Sequence, residues 1–163
     1  MLVTVILPIY NESKYIKATL NAIIDQDYNF DEIEIIISDG ISNDGTREII
    51  KYFINLYPNI ILIDNPEKIV PTGFNRALSV AKGDVIVRVD GHTIIDKTYI
   101  SRCVKLLKDH KFDNVGGKMS VVWNDIFDGV VAIATSSRFG IGNAAFHYSN
   151  KGKLVDTVYL GAW

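Results

Sequence analysis

Between residues 3 and 109, runs of branched aliphatic side chains alternate with stretches whose apolar positions recur every three or four residues. The runs at 3–9, 34–38, 60–64 and 84–90 are rich in Ile and Val and are bounded by Pro, Asn, Asp or Gly, as expected of buried strands. Within 14–27, Ile16, Leu20, Ile23 and Ile24 fall at helical spacing, with lysines, Asn21 and Asp25 on the other face. Ile49, Ile50, Phe53, Ile54 and Tyr57 repeat that device within 45–57, where Asp44 or Ser42 is available as an N-cap. A shorter helix is expected over 72–81, and another over 97–109 carries Ile100, Cys103, Val104 and Leu107 on one side. Strand and helix in this alternation predict an α/β fold, a doubly wound and mainly parallel sheet with right-handed crossovers.

After residue 113 the order changes. A strand is expected over 114–122, opening on Gly116 and Gly117, then a helix near 125–137. Residues 138–153 show no periodicity and mix Gly140, Gly142, Asn143, Phe146, His147 and Tyr148, which suits a binding loop. The strand-like run 158–163 ends on Trp163 without a closing helix, so a fragment of a longer protein is expected.

At 163 residues the chain has room for a single domain with a sizeable core. A formal charge of −2 offers no footprint for a polyanion, so nucleic acid is not an expected partner. Cys103 is the only cysteine, which removes an intrachain disulfide and points to packing in a reducing cytoplasm. The first strand follows Met1 almost directly, without a basic segment and apolar core of an export signal. The apolar stretch around 130–134 falls short of the ~18 residues of a membrane helix. Any membrane association would come through other segments or a lipid-linked substrate, at the inner face of the plasma membrane.

The polar residues that interest a chemist cluster just after the strands, where open α/β sheets bind ligands. After the first strand, Pro8 ends ladder pairing, Tyr10 offers a ring on which a base can stack, and Asn11 or Glu12 can bond a ring or ribose edge. After the second, Asp39 can accept from a base N–H or a ribose hydroxyl, while Asp44 and Thr46 read as helix-capping residues. After the third, Lys68 precedes Pro71-Thr72-Gly73, Asn75 and Arg76. This is a positive edge opening a helix, suited to phosphate, although Lys68 reads equally as a solvated lysine and Arg76 as the partner of an acid.

After the fourth comes Asp90-Gly91-His92. In an extended segment Asp90 and His92 would project to the same side, and Gly91 would leave room for a ligand's oxygens to approach the backbone. Carboxylate oxygen suits Mg²⁺ or Mn²⁺, and an imidazole nitrogen shifts the preference toward Mn²⁺. Zinc would need more nitrogen or sulfur ligands, and His110 and His147 lie in unrelated contexts. Asp96 reads as a cap for the helix that follows.

Taken together, Val5-Ile-Leu-Pro8-Ile-Tyr-Asn-Glu12, the loop from Asp39 to Thr46, and Val89-Asp90-Gly91-His92 resemble the motifs of family 2 glycosyltransferases. Asp113-Asn-Val-Gly-Gly117, Arg138-Phe-Gly-Ile-Gly-Asn143 and the run from Asp156 to Trp163 further resemble the succinoglycan-type glucosyltransferases of bacterial polysaccharide synthesis. That resemblance implies a Rossmann-like GT-A fold, a nucleotide-diphosphate-sugar donor with UDP favoured, a glycan or lipid-linked acceptor, and inversion by direct displacement. It places Pro8, Tyr10, Glu12 and Asp39 around the nucleoside and Asp90 and His92 at Mn²⁺ or Mg²⁺, with Lys68 and Asn75 as further donor contacts. Residues 1–95 then form the donor part, and 96–163 begin an incomplete acceptor part.

The chain departs from the family pattern in three ways. Gly40 stands where many relatives carry a second acid, and His92 replaces the last acid of Asp-x-Asp, so metal binding competes with protonation of the ring. In relatives the catalytic base follows the segment that ends here at Trp163, and Asp156 and His147 are the nearest internal substitutes. Other readings are a non-catalytic nucleotide-sugar-binding module and a sugar-phosphate nucleotidyltransferase. The latter would show a Gly- and Arg-rich loop where Pro8-Ile-Tyr-Asn-Glu12 stands.

Overall fold

A computed structural model describes residues 1–109, 112–119, 152–155 and 157–163. Among them the strands are β1 (Val3–Ile9), β2 (Ile33–Asp39), β3 (Ile60–Asp64), β4 (Val85–Arg88), β5 (Val115–Gly117) and β6 (Tyr159–Ala162). The helices are α1 (Ile16–Ile24), α2 (Thr46–Leu56), α3 (Val70–Leu78) and α4 (Tyr99–Lys108). The sheet order is β3-β2-β1-β4-β6-β5. The strands β1 to β4 pair in parallel, as predicted, and β6 lies antiparallel between β4 and β5.

Every residue of β1 and β2 is buried, which accounts for their richness in Val, Ile and Leu. Val3, Val5 and Leu7 with Ile33, Ile35 and Ile37 face Ile16, Leu20 and Ile23 of α1, Ile50 and Phe53 of α2, and Ile100 and Val104 of α4. Ile6 and Ile36 face Ala77 and Phe74 of α3 on the opposite side. The steps from β1 to β2 to β3 run one way across the sheet and the step to β4 runs back past β1. Crossovers of one hand therefore put α3 on the other face. Gly73 lets α3 come close, since a Cβ there would lie 2.9 Å from Asn65 Nδ2 and 3.3 Å from Pro8 Cβ.

The same face buries two polar groups that the aliphatic pattern conceals. The Thr4 hydroxyl donates to Glu34 Oε2 at 2.7 Å, and the N–H groups of Gly83 and Lys82 donate to Thr4 Oγ1 and Glu34 Oε2. This satisfies the buried carboxylate and fastens the chain entering β4 to β1 and β2.

Several element ends differ from expectation. Helix α1 stops at Ile24, not 27, because buried Gln26 turns back: its Nε2 donates to the carbonyls of Ala22 and Asp96, and its Oε1 accepts from Ile100 N–H. One amide thus closes α1 and opens α4. Helix α3 begins at Val70, ahead of the expected 72, because Pro71 is accommodated in its first turn, and it ends at Leu78. Asp96, expected to cap α4, instead braces the turn before it: Thr98 holds the cap position, and its hydroxyl at 2.6 Å and its N–H at 3.0 Å both donate to Asp96 Oδ1, which holds the carboxyl below its usual range. Cys103 is buried beside Tyr99, and burial pushes its thiol up to about 11, so its role is packing.

Of the strand expected over 114–122, β5 is the observed part. The expected helix near 125–137, most of the 138–153 loop, His110, His147 and Asp156 lie outside the described residues. Among the described residues, no helix is long and apolar enough to cross a membrane.

Candidate functional site

The sheet reverses direction at β1 and β4, and at a reversal of this kind the loops beyond the strand ends splay apart to leave a crevice. The loops after β1, β2, β3 and β4 all emerge at that edge, because the four strands are parallel.

The loop after β2 clamps the loop after β1. The N–H groups of Asn11, Glu12 and Ser13 donate to Ser42 Oγ, Thr46 Oγ1 and Asp44 Oδ2 at 2.8, 2.8 and 3.0 Å, and Asn43 N–H donates to Asn11 Oδ1 at 3.1 Å. Ser42 is thus not a helix cap. Asp44 does take the first helical N–H, that of Thr46, but Gly45 at φ 97° is the residue at the cap position. Partial desolvation pushes the Asp44 carboxyl up, but the hydrogen bonds from Thr46 and Ser13 outweigh it and hold the group well below the usual carboxylate range. The clamp is therefore complete above that range and is lost as pH falls far below it.

Asp39, expected to touch the base, is fully buried and already satisfied. Its Oδ2 accepts from Ser42 N–H at 2.9 Å and from Arg47 Nη1 at 2.7 Å, and its Oδ1 accepts from the Ser42 hydroxyl. Arg47 also donates to Asp64 at 2.8 Å, and that bond, with the one to Asp39, raises the guanidinium pKa against the opposing effect of burial. A buried carboxylate must have its charge met inside the fold, so Asp39 anchors the loop and does not open onto the crevice. Arg47 was the missed partner. A cation in the first turn of a helix, where the dipole disfavours it, was the signal that could have found it.

Ile41 sits in the same loop at φ 59°, 46% exposed, in a left-handed conformation that a β-branched residue adopts only under strain. Ile41→Asn, a residue that tolerates this conformation, is expected to stabilise the fold by about 1 kcal/mol, a rise in Tm of roughly 2–4 °C. A thermal melt showing a lower Tm would mean that the apolar side chain is stabilising instead.

Tyr10, 43% exposed, lines a recess with Pro8, Ile9, Asn65, Lys68, Ile69 and Val70. Lys68 Nζ stands 5.2 Å from the centre of the Tyr10 ring, a cation–π contact at the mouth of the recess. Gly40 is accounted for here: a Cβ at that position would meet Tyr10 Cδ2 at 2.9 Å, so the ring occupies the space of the missing acid. Asn75 does not join Tyr10 and Lys68. It is exposed, two residues from both Gly73 and Ala77 and so on the side of α3 turned away from the sheet. Asn65, missed in the sequence, lines the recess in its place, held by Ile69 O and the Thr72 hydroxyl. Arg76 pairs with Glu67 at 2.9 Å, the acid-partner alternative.

At the fourth strand the geometry differs from an extended Asp-x-His. Strand β4 ends at Arg88, and Asp90 to Thr93 form a turn closed by Thr93 N–H to Asp90 O at 3.0 Å. Gly91 does not leave room for ligand oxygens, since a Cβ there would lie 2.8 Å from Ile9 Cγ2 and 2.9 Å from Glu12 Cγ. Its glycine is required by β1 and Glu12 packing onto it. Arg88, two residues before Asp90 in an otherwise aliphatic strand, donates to Asp90 Oδ1 from Nε and lies 2.9 Å from it through Nη2. Glu12 Oε1 lies 2.9 Å from His92 Nδ1.

Among the described residues, no group of three or more His, Cys, Asp or Glu is arranged to hold a metal. Asp90 and His92 nonetheless fit a cation shared with a ligand. Asp90 Oδ2 and His92 Nε2 are left over by the hydrogen bonds just described, one hard oxygen and one nitrogen on the same turn, with His92 exposed and Asp90 half-buried.

Comparison with known proteins agrees with this frame. A profile of the family described as "Glycosyl transferase family 2" matches residues 4–150. The succinoglycan biosynthesis protein ExoA of Rhizobium meliloti is 29% identical over 142 residues, 86% of this chain and 43% of ExoA. Staphylococcus aureus TarS residues 1–349, solved with UDP-GlcNAc, superposes with a TM-score of 0.65 at 28% identity, over 77% of this chain and 36% of that one. A mannosyltransferase of Pyrobaculum calidifontis, solved with GDP-Man and Mn²⁺, gives 0.67 at 29% identity, over 82% and 39%. The chain spans 40% to 52% of the length of the first three curated relatives it matches. Strand order, the motif-bearing edge and a profile match over most of the sequence give one answer: this chain belongs to glycosyl transferase family 2.

Proposed function

We propose that this chain binds a nucleotide-diphosphate sugar, with UDP as the nucleotide, and is the donor half of an inverting glycosyltransferase of polysaccharide synthesis. The acceptor would be a glycan or a lipid-linked sugar met at the cytoplasmic face of a membrane. The observation that carries the reading is the meeting of Tyr10, Lys68 and the Asp90–His92 turn at one edge of the sheet, beside the reversal between β1 and β4. An exposed ring offers a base its stacking surface, and a lysine above it supplies positive charge for the phosphates. Arg88 adds a second cation beside Asp90.

Asp90 Oδ2 and His92 Nε2 are the atoms that would hold Mn²⁺ or Mg²⁺. When bound, such an ion supplies charge neutralisation for a departing diphosphate. Residues 1–95 carry the donor contacts on this reading, and 96–163 begin the acceptor side. The structural neighbours solved with UDP-GlcNAc and with GDP-Man and Mn²⁺ support a nucleotide-sugar donor and a divalent ion. Isothermal titration of the 163-residue chain with UDP in the presence of Mn²⁺ tests the reading. Saturable heat that depends on Mn²⁺ is expected, and its absence with folded protein would overturn it.

A further inference from the structure

We propose that Glu12 is a positioning residue that fixes the tautomer of His92 and so turns the lone pair of Nε2 outward toward a divalent cation. This rests on the reading of Asp90 and His92 as the metal end of the donor site. Glu12 was expected to touch the nucleoside, but its Oε1 lies 2.9 Å from His92 Nδ1. An ionised carboxylate only accepts, so the neutral ring carries its proton on Nδ1 and presents Nε2 as a bare nitrogen. A ligand nitrogen is prepared in this way when its ring partner donates to a carboxylate.

Glu12 is held in place for the task. Its N–H donates to Thr46 Oγ1 at 2.8 Å, and its Cγ packs where a Cβ on Gly91 would lie, 2.9 Å away. The Glu12 side chain is 17% exposed and that of His92 60% exposed, so a sheltered carboxylate holds one edge of a ring whose other edge faces solvent. Tyr15 flanks that ring edge-on at 6.4 Å between centroids. The contact joins residues 80 apart across the β1/β4 reversal, so forming the fold builds the pair before any ligand arrives. Gly91 thereby acquires a reason: a larger residue would push Glu12 off its perch.

The test reads the ring directly. Long-range proton–nitrogen correlation spectra of metal-free, ¹⁵N-labelled protein, recorded where His92 is neutral, should show Nδ1–H in the parent. Glu12→Gln, whose amide oxygen still accepts, should keep that tautomer, whereas Glu12→Ala should move it to Nε2–H. Titration of Mn²⁺ in the presence of UDP should then show about 10- to 100-fold weaker metal binding in Glu12→Ala, with substantial rescue in Glu12→Gln. In a His92→Ala background, Glu12→Ala should cost nothing further. A parent ring protonated on Nε2, or an equal loss in both backgrounds, would overturn the proposal. No Mn²⁺ binding by the parent would overturn the donor-site reading, and the proposal with it. The two failures are told apart because the tautomer is read without metal.

Discussion

Asp90→Asn is expected to weaken Mn²⁺-dependent UDP binding at least about 100-fold, roughly 2.7 kcal/mol, while leaving the fold intact. Oδ1 of Asp90 already serves Arg88, and Oδ2 is the carboxylate oxygen left over at the turn. An amide keeps the shape and an acceptor for Arg88 but removes the charge, and a hard divalent ion discriminates strongly between the two. His92 alone, one nitrogen on an exposed ring, offers Mn²⁺ too few ligands to hold it at useful concentrations. The loss would not come from unfolding. The Arg88–Asp90 pair is partly solvated, 38% and 24% exposed, and such pairs are worth about 0–1 kcal/mol. Titrations of UDP with and without Mn²⁺ on parent and variant check this. Metal-free affinity should match between them, because stacking on Tyr10 does not involve Asp90. Mn²⁺-dependent affinity retained in Asp90→Asn would remove Asp90 from the metal site.

The sequence made the parallel half of the sheet readable for a simple reason. Strands β1 and β3 fall at their expected limits, β3 because Asn65 follows its aliphatic run; Pro8, expected to end the pairing of β1, instead sits within the ladder opposite Ser38, and the strand runs on to Ile9 opposite Asp39. Local composition decides an end such as that of β3. Where a distant side chain decides, the pattern gave no sign. Nothing in residues 14–27 says that Gln26 will bond a carbonyl in the chain leading into α4 and a helical N–H within it. Nothing in the aliphatic rhythm of β1 and β2 says that Thr4 and Glu34 pair beneath α3. The antiparallel β6 also escaped, since one strand's composition does not fix its direction.

The same distinction runs through the site. Tyr10, Lys68 and the Asp90–His92 turn are brought to one edge because parallel strands deliver their ends together, a consequence of topology that the alternation of elements already carries. The role of each side chain depended on partners elsewhere. Glu12 and Asp39 were both read as ligand contacts because each is an acid just beyond a strand. The fold instead spends Glu12 on His92 and Asp39 on Arg47 and Ser42. Asn75 and Asn65 exchange roles because Gly73 and Ala77 are the residues of α3 that pack on the sheet, which leaves Asn75 on the outer face while Asn65 lines the recess.

Asp39→Ala separates the two meanings that acid could have. If Asp39 were chiefly a base contact, its removal would weaken UDP binding and leave stability alone. The buried geometry argues for the reverse order of effects. Removing the carboxylate leaves the N–H and hydroxyl of Ser42, 8% exposed, without their acceptor, and strips Arg47 of its inner partner. Orphaning a buried donor costs about 1–3 kcal/mol, and breaking a fully buried ion pair about 3–5. Arg47 is 24% exposed and keeps Asp64, itself 60% exposed, so solvent and that second acid screen part of the charge term. About 2–3 kcal/mol is therefore expected, a fall in Tm on the order of 5–10 °C. Asp39→Asn, which keeps an acceptor for Ser42, should fall about half as far. UDP binding should weaken as well, but indirectly: Ser42 and its neighbours hold the backbone of Asn11, Glu12 and Ser13, so a loosened loop carries Tyr10 and Glu12 with it. Thermal melts beside UDP titrations decide the matter. A variant that melts with the parent yet no longer binds UDP would return Asp39 to the ligand. A variant that loses both, with Asp39→Asn intermediate in both, is the signature of an anchor.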